Sequence, residues 1–272
     1  MRFEKALDTS IGTAQIVTDA GKCYCKAMGN PQGTQALACE LVGTGLAEWL
    51  GLKTFEYGVL DLGPAVELPF IKGGRADSGP AFVTRAEAGN AWGGSSDELT
   101  QLKNLDDIPK LVVLDTWTLN CDRCSPAGAG RNPHPDNVFF SWDQSRSEVP
   151  CLVAMDHSHC FVCGAAVNKR VANIDNLQDR RIYGLFPAFR TVVASRRALL
   201  RESLSKLKTF RAEDCRDLLA RVPRQWGLDQ PSRDALCDLV TFRARFVGDN
   251  MMEWLEPLCW PQGELTFDDG ME

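Results

Sequence analysis

Leu114-Asp115-Thr116-Trp117-Thr118-Leu119-Asn120-Cys121-Asp122-Arg123 and, downstream, Leu152-Val153-Ala154-Met155-Asp156-His157 are the two blocks whose reading decides the fold. Between them stands Pro135-Asp136-Asn137-Val138-Phe139-Phe140. An Asp-Arg pair is followed by an Asn that opens an apolar strand and by an Asp that closes a second one. Taken singly, a turn aspartate or a turn asparagine needs no function. In this order, flanked by apolar strands, they supply one carboxylate able to receive a proton and two hard oxygen ligands for a divalent cation.

Upstream, residues 1 to 28 read as a β-meander. Thr13–Thr18 and Lys22–Met28 are the strands and Asp19-Ala20-Gly21 is the turn. Thr34 to Leu50 reads as a helix, because Leu37, Leu41, Leu46 and Leu50 recur near the 3.6-residue period and Gly51 follows as a stop. Thr54–Leu62 and Ala81–Thr84 are further strands, and the small-residue stretch Ala88–Ser96 suits a linker. A helix begins near Ile108-Pro109, since proline is favoured in a first turn. Asn137–Trp142 and Cys151–Asp156 are short strands. Helices over Arg190–Ser205, Arg211–Leu219 and Gln230–Trp254 follow, and Pro261–Glu272 reads as a frayed acidic tail.

This order predicts an α+β, bilobed chain, and the layout of the two blocks, that of a kinase-like catalytic centre, makes the expected fold protein-kinase-like. A small β-rich N-lobe over 1–87 precedes a larger α-helical C-lobe over 88–272 that carries the catalytic and metal-binding loops. Phosphoryl transfer asks the protein to hold phosphates, neutralise charge and aim a nucleophile. Lys26, near the end of the second strand, is placed to reach nucleotide phosphates, and Glu40 on the following helix is placed to pair with it. Asp122 is the expected catalytic carboxylate, with Asn137 and Asp156 as the magnesium ligands. Against each stands a plain alternative: a surface lysine, a surface glutamate, a turn residue.

Composition narrows the field. With 272 residues the chain can bury a large core or two. A net charge of -6 argues against direct nucleic-acid contact, and the arginines from Arg180 to Arg201 read as a solvated helix face. The sequence shows no apolar run near the roughly 18 residues that span a bilayer, and Met1-Arg2-Phe3-Glu4-Lys5 lacks the apolar stretch of a secretory signal. The expectation is a cytoplasmic protein without a membrane partner, in a reducing compartment where a disulfide framework is not expected.

Eleven cysteines are therefore read as buried thiols or a metal site. Cys121-x-x-Cys124 and Cys160-x-x-Cys163 could each give two ligands to a structural zinc. All three histidines, His134, His157 and His159, lie in this segment. The plain alternative is chance pairing in a cysteine-rich chain.

The central motifs resemble those of the HipA-like kinase domain family, within the wider protein-kinase and phosphoinositide-kinase-like group. The resemblance rests on Asp115-Thr116-Trp117…Asn120-Cys121-Asp122-Arg123, Asp136-Asn137-Val138-Phe139 and Ala154-Met155-Asp156-His157-Ser158-His159-Cys160-Phe161. Tyr24-Cys25-Lys26, Leu50-Gly51-Leu52, Gly79-Pro80-Ala81-Phe82 and Val222-Pro223-Arg224-Gln225-Trp226-Gly227 support it, so that it covers roughly residues 10 to 250. It implies ATP and magnesium as cofactors and a hydroxyl acceptor, a protein Ser or Thr foremost. Two departures stand out. Cys124 occupies a region where related loops often carry a His, and Asp122 and Asn137 are fifteen residues apart where about five is usual. The intervening 125–135 reads as a loop insertion. No Gly-rich phosphate loop stands out beyond Ser10-Ile11-Gly12-Thr13. Two rival readings follow: a nucleotide-binding pseudokinase scaffold, and a zinc-stapled interaction module without nucleotide.

Overall fold

The alternating pattern of the first 28 residues becomes three antiparallel strands, β1 (Arg2–Ala6), β2 (Ala14–Thr18) and β3 (Gly21–Lys26). The computed structural model describes residues 1–146 and 148–261, so most of the predicted acidic tail lies outside the described residues. After helix α1 (Gln35–Leu50), strands β4 (Tyr57–Leu62) and β5 (Gly79–Arg85) complete a five-stranded sheet of order β1-β2-β3-β5-β4. β3 pairs with β5 in a register that sets Lys26 opposite Phe82.

α1 is buried on nearly every side, as expected for a helix apolar all round. It ends where Gly51 adopts φ 92° and donates to the carbonyls of Ala47 and Glu48, the left-handed cap that glycine adopts most readily. Gly43, inside the helix, has a different purpose. A Cβ there would lie 2.5 Å from the Cβ of His157. Glycine in a helix interior costs about 1 kcal/mol relative to alanine, and here it lets α1 approach the segment that carries Asp156.

The region read as a linker is not wholly one. Within it β6 (Gly89–Ala91) pairs with β7 (Val138–Ser141), which pairs with β8 (Cys151–Ala154) in a second, three-stranded sheet. A lone bridge between Thr54 and Ala154 ties this sheet to the approach of β4. The short α2 (Ser96–Leu99) leads to α3 (Ile108–Thr118), with proline in its first turn as expected. The helical remainder is α4 (Ile174–Leu177), α5 (Pro187–Ser195), α6 (Arg197–Leu207), α7 (Ala212–Ala220) and α8 (Gln230–Cys259). The single helix expected over 190–205 is thus two, because the backbone leaves the helical region at Arg196 (φ -116°, ψ 35°). Trp226 is fully buried and donates to the Pro80 carbonyl of β5, which fastens the helical part to the sheet. Among the described residues no helix is long and apolar enough to cross a membrane.

Candidate active site

Three elements bring the charged residues together. Lys26 ends β3, Glu40 lies on the second turn of α1, and Asp156 follows β8. The Lys26 ammonium donates to Glu40 Oε1 and, at 3.2 Å, to Asp156 Oδ1. The other Glu40 oxygen accepts the backbone N–H of His157 at 3.1 Å. Ser158 Oγ donates to Asp156 Oδ1 at 2.9 Å. The His157 ring makes no hydrogen bond to Asp156; the contribution of this residue is its backbone, which holds Glu40. Burial pushes this imidazole down to about 3, with the Arg123 charge adding to the effect, so it is neutral near pH 7.

The electrostatics of the triad follow from one cation facing two carboxylates. Burial works against the Lys26 charge, but Asp156 and Glu40 together outweigh it and hold the ammonium above its usual range. Burial also disfavours ionised Asp156, yet the Lys26 charge and hydrogen bonds from its neighbours hold that carboxyl well below the carboxylate range. Glu40, 2% exposed, carries the surplus. Burial first, and the Asp156 charge after the partial relief from Lys26, push it up to about 7.

Asp156 faces a cavity of about 280 Å³. Lys26 and Glu40 also line it, with Phe55, Phe82 and Phe139 as apolar walls. Thr9 and Thr13, which flank the Ser10–Gly12 stretch, line it as well; Thr9 Oγ1 accepts the Thr13 N–H at 2.8 Å. Asp122 and Asn137 stand outside this lining but next to each other: the Asn137 side-chain amide donates to Asp122 Oδ2 at 2.8 Å. The fifteen-residue separation therefore does not keep them apart. That bond uses the amide nitrogen and leaves the Asn137 side-chain oxygen without a partner among the described residues. His159 Nδ1 lies 3.7 Å from Asp122 Oδ2, so a histidine reaches the Asp122 loop from another segment.

Arg123, which the sequence marked only as part of a motif, joins the two halves of the site. Wholly buried, it donates to Asp115 Oδ2 at 2.8 Å, to the Asn137 carbonyl, and to the Met155 carbonyl at 2.9 Å. Asp115 is also fully buried and accepts from Asn120 at 3.0 Å. Burial pushes the Asp115 carboxyl up even with Arg123 and Asn120 pulling it down. Gly184 closes this pocket: a Cβ there would lie 2.3 Å from Asp115 Oδ2.

The backbone is costly here too. Leu119, Asp156, Phe161 and Cys163 all adopt positive φ without being glycine, at 55°, 55°, 71° and 55°. Such residues cost about 1–3 kcal/mol each and persist where surrounding structure holds them. The two loops that carry them are also joined by a disulfide between Cys121 and Cys163. This bond departs from the expectation that disulfides play no part, and it takes up two of the four thiols read as zinc ligands, Cys121 and Cys163. Cys124 and Cys160 remain free and buried. Among the described residues no group of three or more His, Cys, Asp or Glu side chains is arranged to hold a metal ion. Magnesium does not ask for such a cage: one or two protein oxygens suffice when substrate phosphates and water complete its shell. The Asp156 carboxylate and the free Asn137 oxygen are donors of that kind.

A scan of protein-family models finds no match to this sequence. A search of curated proteins also finds none. Among solved structures, a Helicobacter pylori proinflammatory kinase, CtkA, is similar over 94% of this chain and 96% of its own, with a TM-score of 0.53 and 13% sequence identity. The chain thus has a kinase-like fold, mixed α and β, with an antiparallel sheet followed by a helical part. At this identity the likeness speaks for the fold alone.

Proposed function

We propose that this chain is an ATP- and magnesium-dependent kinase of HipA-like type that transfers the γ-phosphoryl group to a hydroxyl, a protein Ser or Thr foremost. The observation that carries this reading is the meeting of Lys26, Glu40 and Asp156, from three separate elements, at one wall of a cavity with apolar sides. Lys26 holds phosphate oxygens and Glu40 fixes its position. Asn137 and Asp156 offer the hard oxygens for magnesium. When bound, ATP supplies the phosphoryl group and magnesium offsets the charge on its oxygens. Asp122, oriented by the Asn137 amide, receives the acceptor's hydroxyl proton. The cavity's aromatic walls suit the flat face of a base.

The test is a thermal-shift titration with ATP, with and without magnesium, on the wild type and Asp156→Ala. A ligand bound only to the folded state stabilises it by about 2.7 kcal/mol at a hundred times its Kd. The expected result is a magnesium-dependent rise in melting temperature that Asp156→Ala abolishes. No shift at millimolar ATP would sink the proposal. A second reading, a nucleotide-binding pseudokinase, draws on Cys124 standing where related loops often carry a histidine. ATP binding without turnover would favour it.

A further inference from the structure

A second concavity adjoins the catalytic loop. It holds about 380 Å³ between the residues that follow α3 and the segment from Phe161 to Tyr183. Its wall includes Cys121, one residue before Asp122, yet it shares no lining residue with the cavity at Lys26. Its floor is apolar, with Leu119, Phe161 and Val171. Its charge is one-sided. Arg131, Arg170 and Arg181 line it, and no Asp or Glu does, in a chain whose net charge is -6. Arg181 is committed, clamped at 3.0 Å on both Asp179 oxygens. Arg131 and Arg170 are exposed, and among the described residues neither forms an ion pair; Arg131 only touches Cys121 Sγ at 3.4 Å. An uncommitted guanidinium offers a planar fork of donors that matches a carboxylate or a phosphate.

We propose that this groove receives the acceptor as an extended, acidic protein segment, with Arg131 and Arg170 reading negative side chains that flank the modified hydroxyl. The inference rests on the kinase reading. In-line transfer brings the acceptor hydroxyl to the γ-phosphorus opposite the leaving oxygen, beside the carboxylate that takes its proton, and this groove is lined by Cys121, the residue before Asp122, with none of the nucleotide cavity's residues in its lining. The Cys121–Cys163 disulfide joins its two walls, so little ordering is needed when a segment enters.

Fluorescein-labelled peptides test it by anisotropy on the full chain. One carries a serine flanked by Asp and Glu, one the same serine flanked by Lys and Arg, and one flanked by phosphoserines. The acidic peptide should bind at least about tenfold tighter than the basic one, and binding should weaken with salt. Arg131→Glu with Arg170→Glu should abolish that preference and leave the magnesium-ATP shift as in wild type. Tighter binding of the phosphoserine arm would support the proposal and narrow the class to segments already phosphorylated. Equal binding of acidic and basic peptides, or a double variant that binds as wild type does, would overturn it while the kinase reading stands. Arginine-dependent acidic binding in a chain that shows no nucleotide shift would overturn the acceptor assignment through failure of the kinase reading.

Discussion

Arg123 and Arg243 are both wholly buried, and both reach the C-terminal end of α3, but they are neutralised in different ways. Arg123 faces a carboxylate, Asp115, and spends its remaining donors on the carbonyls of Asn137 and Met155 in the site loops. Arg243, on α8, meets carbonyls: Trp117 at 2.9 Å, Asn176 at 2.8 Å, Asp179 at 3.1 Å, and Thr116. Carbonyls at a helix C-terminus carry partial negative charge and suit a cation. Burial nonetheless pushes Arg243 down to about 10, with the nearby Asp179 charge opposing. The first arrangement includes a group that titrates; the second is built on backbone. Between about pH 5 and pH 8 the site arrangement is thus the one whose partner responds to pH, since Arg243 titrates only near 10.

The largest effect should come from breaking each arginine in turn. Arg123→Met leaves Asp115 buried with no cation, which costs about 3–5 kcal/mol near neutral pH. The folded Asp115 carboxyl lies above its usual range already and would rise further. Its penalty is absent below the unfolded value and grows as pH climbs through the folded one. Arg123→Met should therefore recover stability toward acid pH, and adding Asp115→Asn should restore much of it at any pH. Arg243→Met strands carbonyls at about 1–3 kcal/mol each, with no such slope. Urea unfolding at about pH 5 and about pH 8 separates the two. Parallel slopes would break the comparison.

Part of this was legible in the sequence. Lys26 ends a strand and Glu40 lies early in the next helix, elements whose periodicity is plain, so a pairing of these two was expected, whereas Asp156 was expected only as a metal ligand and its contact with Lys26 was not foreseen. The contact of Asp122 with Asn137 survived a long loop because both flanking elements are strongly apolar. Arg243 left a trace that could have been read: it falls in register with Leu236, Val240 and Val247 on the buried face of α8. Arg123 left none, since its partner lies within the same motif and its other bonds go to backbone. β6 was missed because Gly89-Asn90-Ala91 has little strand preference; it is a strand through pairing with β7. Nor does spacing reveal which cysteines pair.

Gly43 sharpens the comparison at the next level down. Gly43→Ala would drive a Cβ against the base of the His157 side chain, which cannot swing aside. The expected cost is about 1–3 kcal/mol, together with loss of the His157 N–H bond to Glu40 and of the magnesium-ATP shift. Gly58→Ala on β4, where a Cβ meets nothing within 4 Å, is the control and should leave the shift intact. A Gly43→Ala protein that keeps full nucleotide binding would show that the close approach of α1 serves packing only.

The smallest effect tests whether the site's pH response extends to the triad. Glu40 rises in the fold from 4.5 to about 7, so its contribution is present in full below about 4.5 and is lost as pH rises through 7. Asp156 works in the other direction, since a lowered carboxyl stabilises above 3.8 and fails only in stronger acid. Lys26 stays charged across this whole range. The window between about 4.5 and 7 thus belongs to Glu40 within the triad. Glu40→Gln keeps an acceptor for the His157 N–H and removes the titration, so it should flatten a stability loss of about 1–3 kcal/mol over that window. Urea midpoints followed across it for both proteins give the answer. An unchanged slope in Glu40→Gln would mean that the surplus charge rests elsewhere, with Asp115 beside Arg123 as the next group to replace.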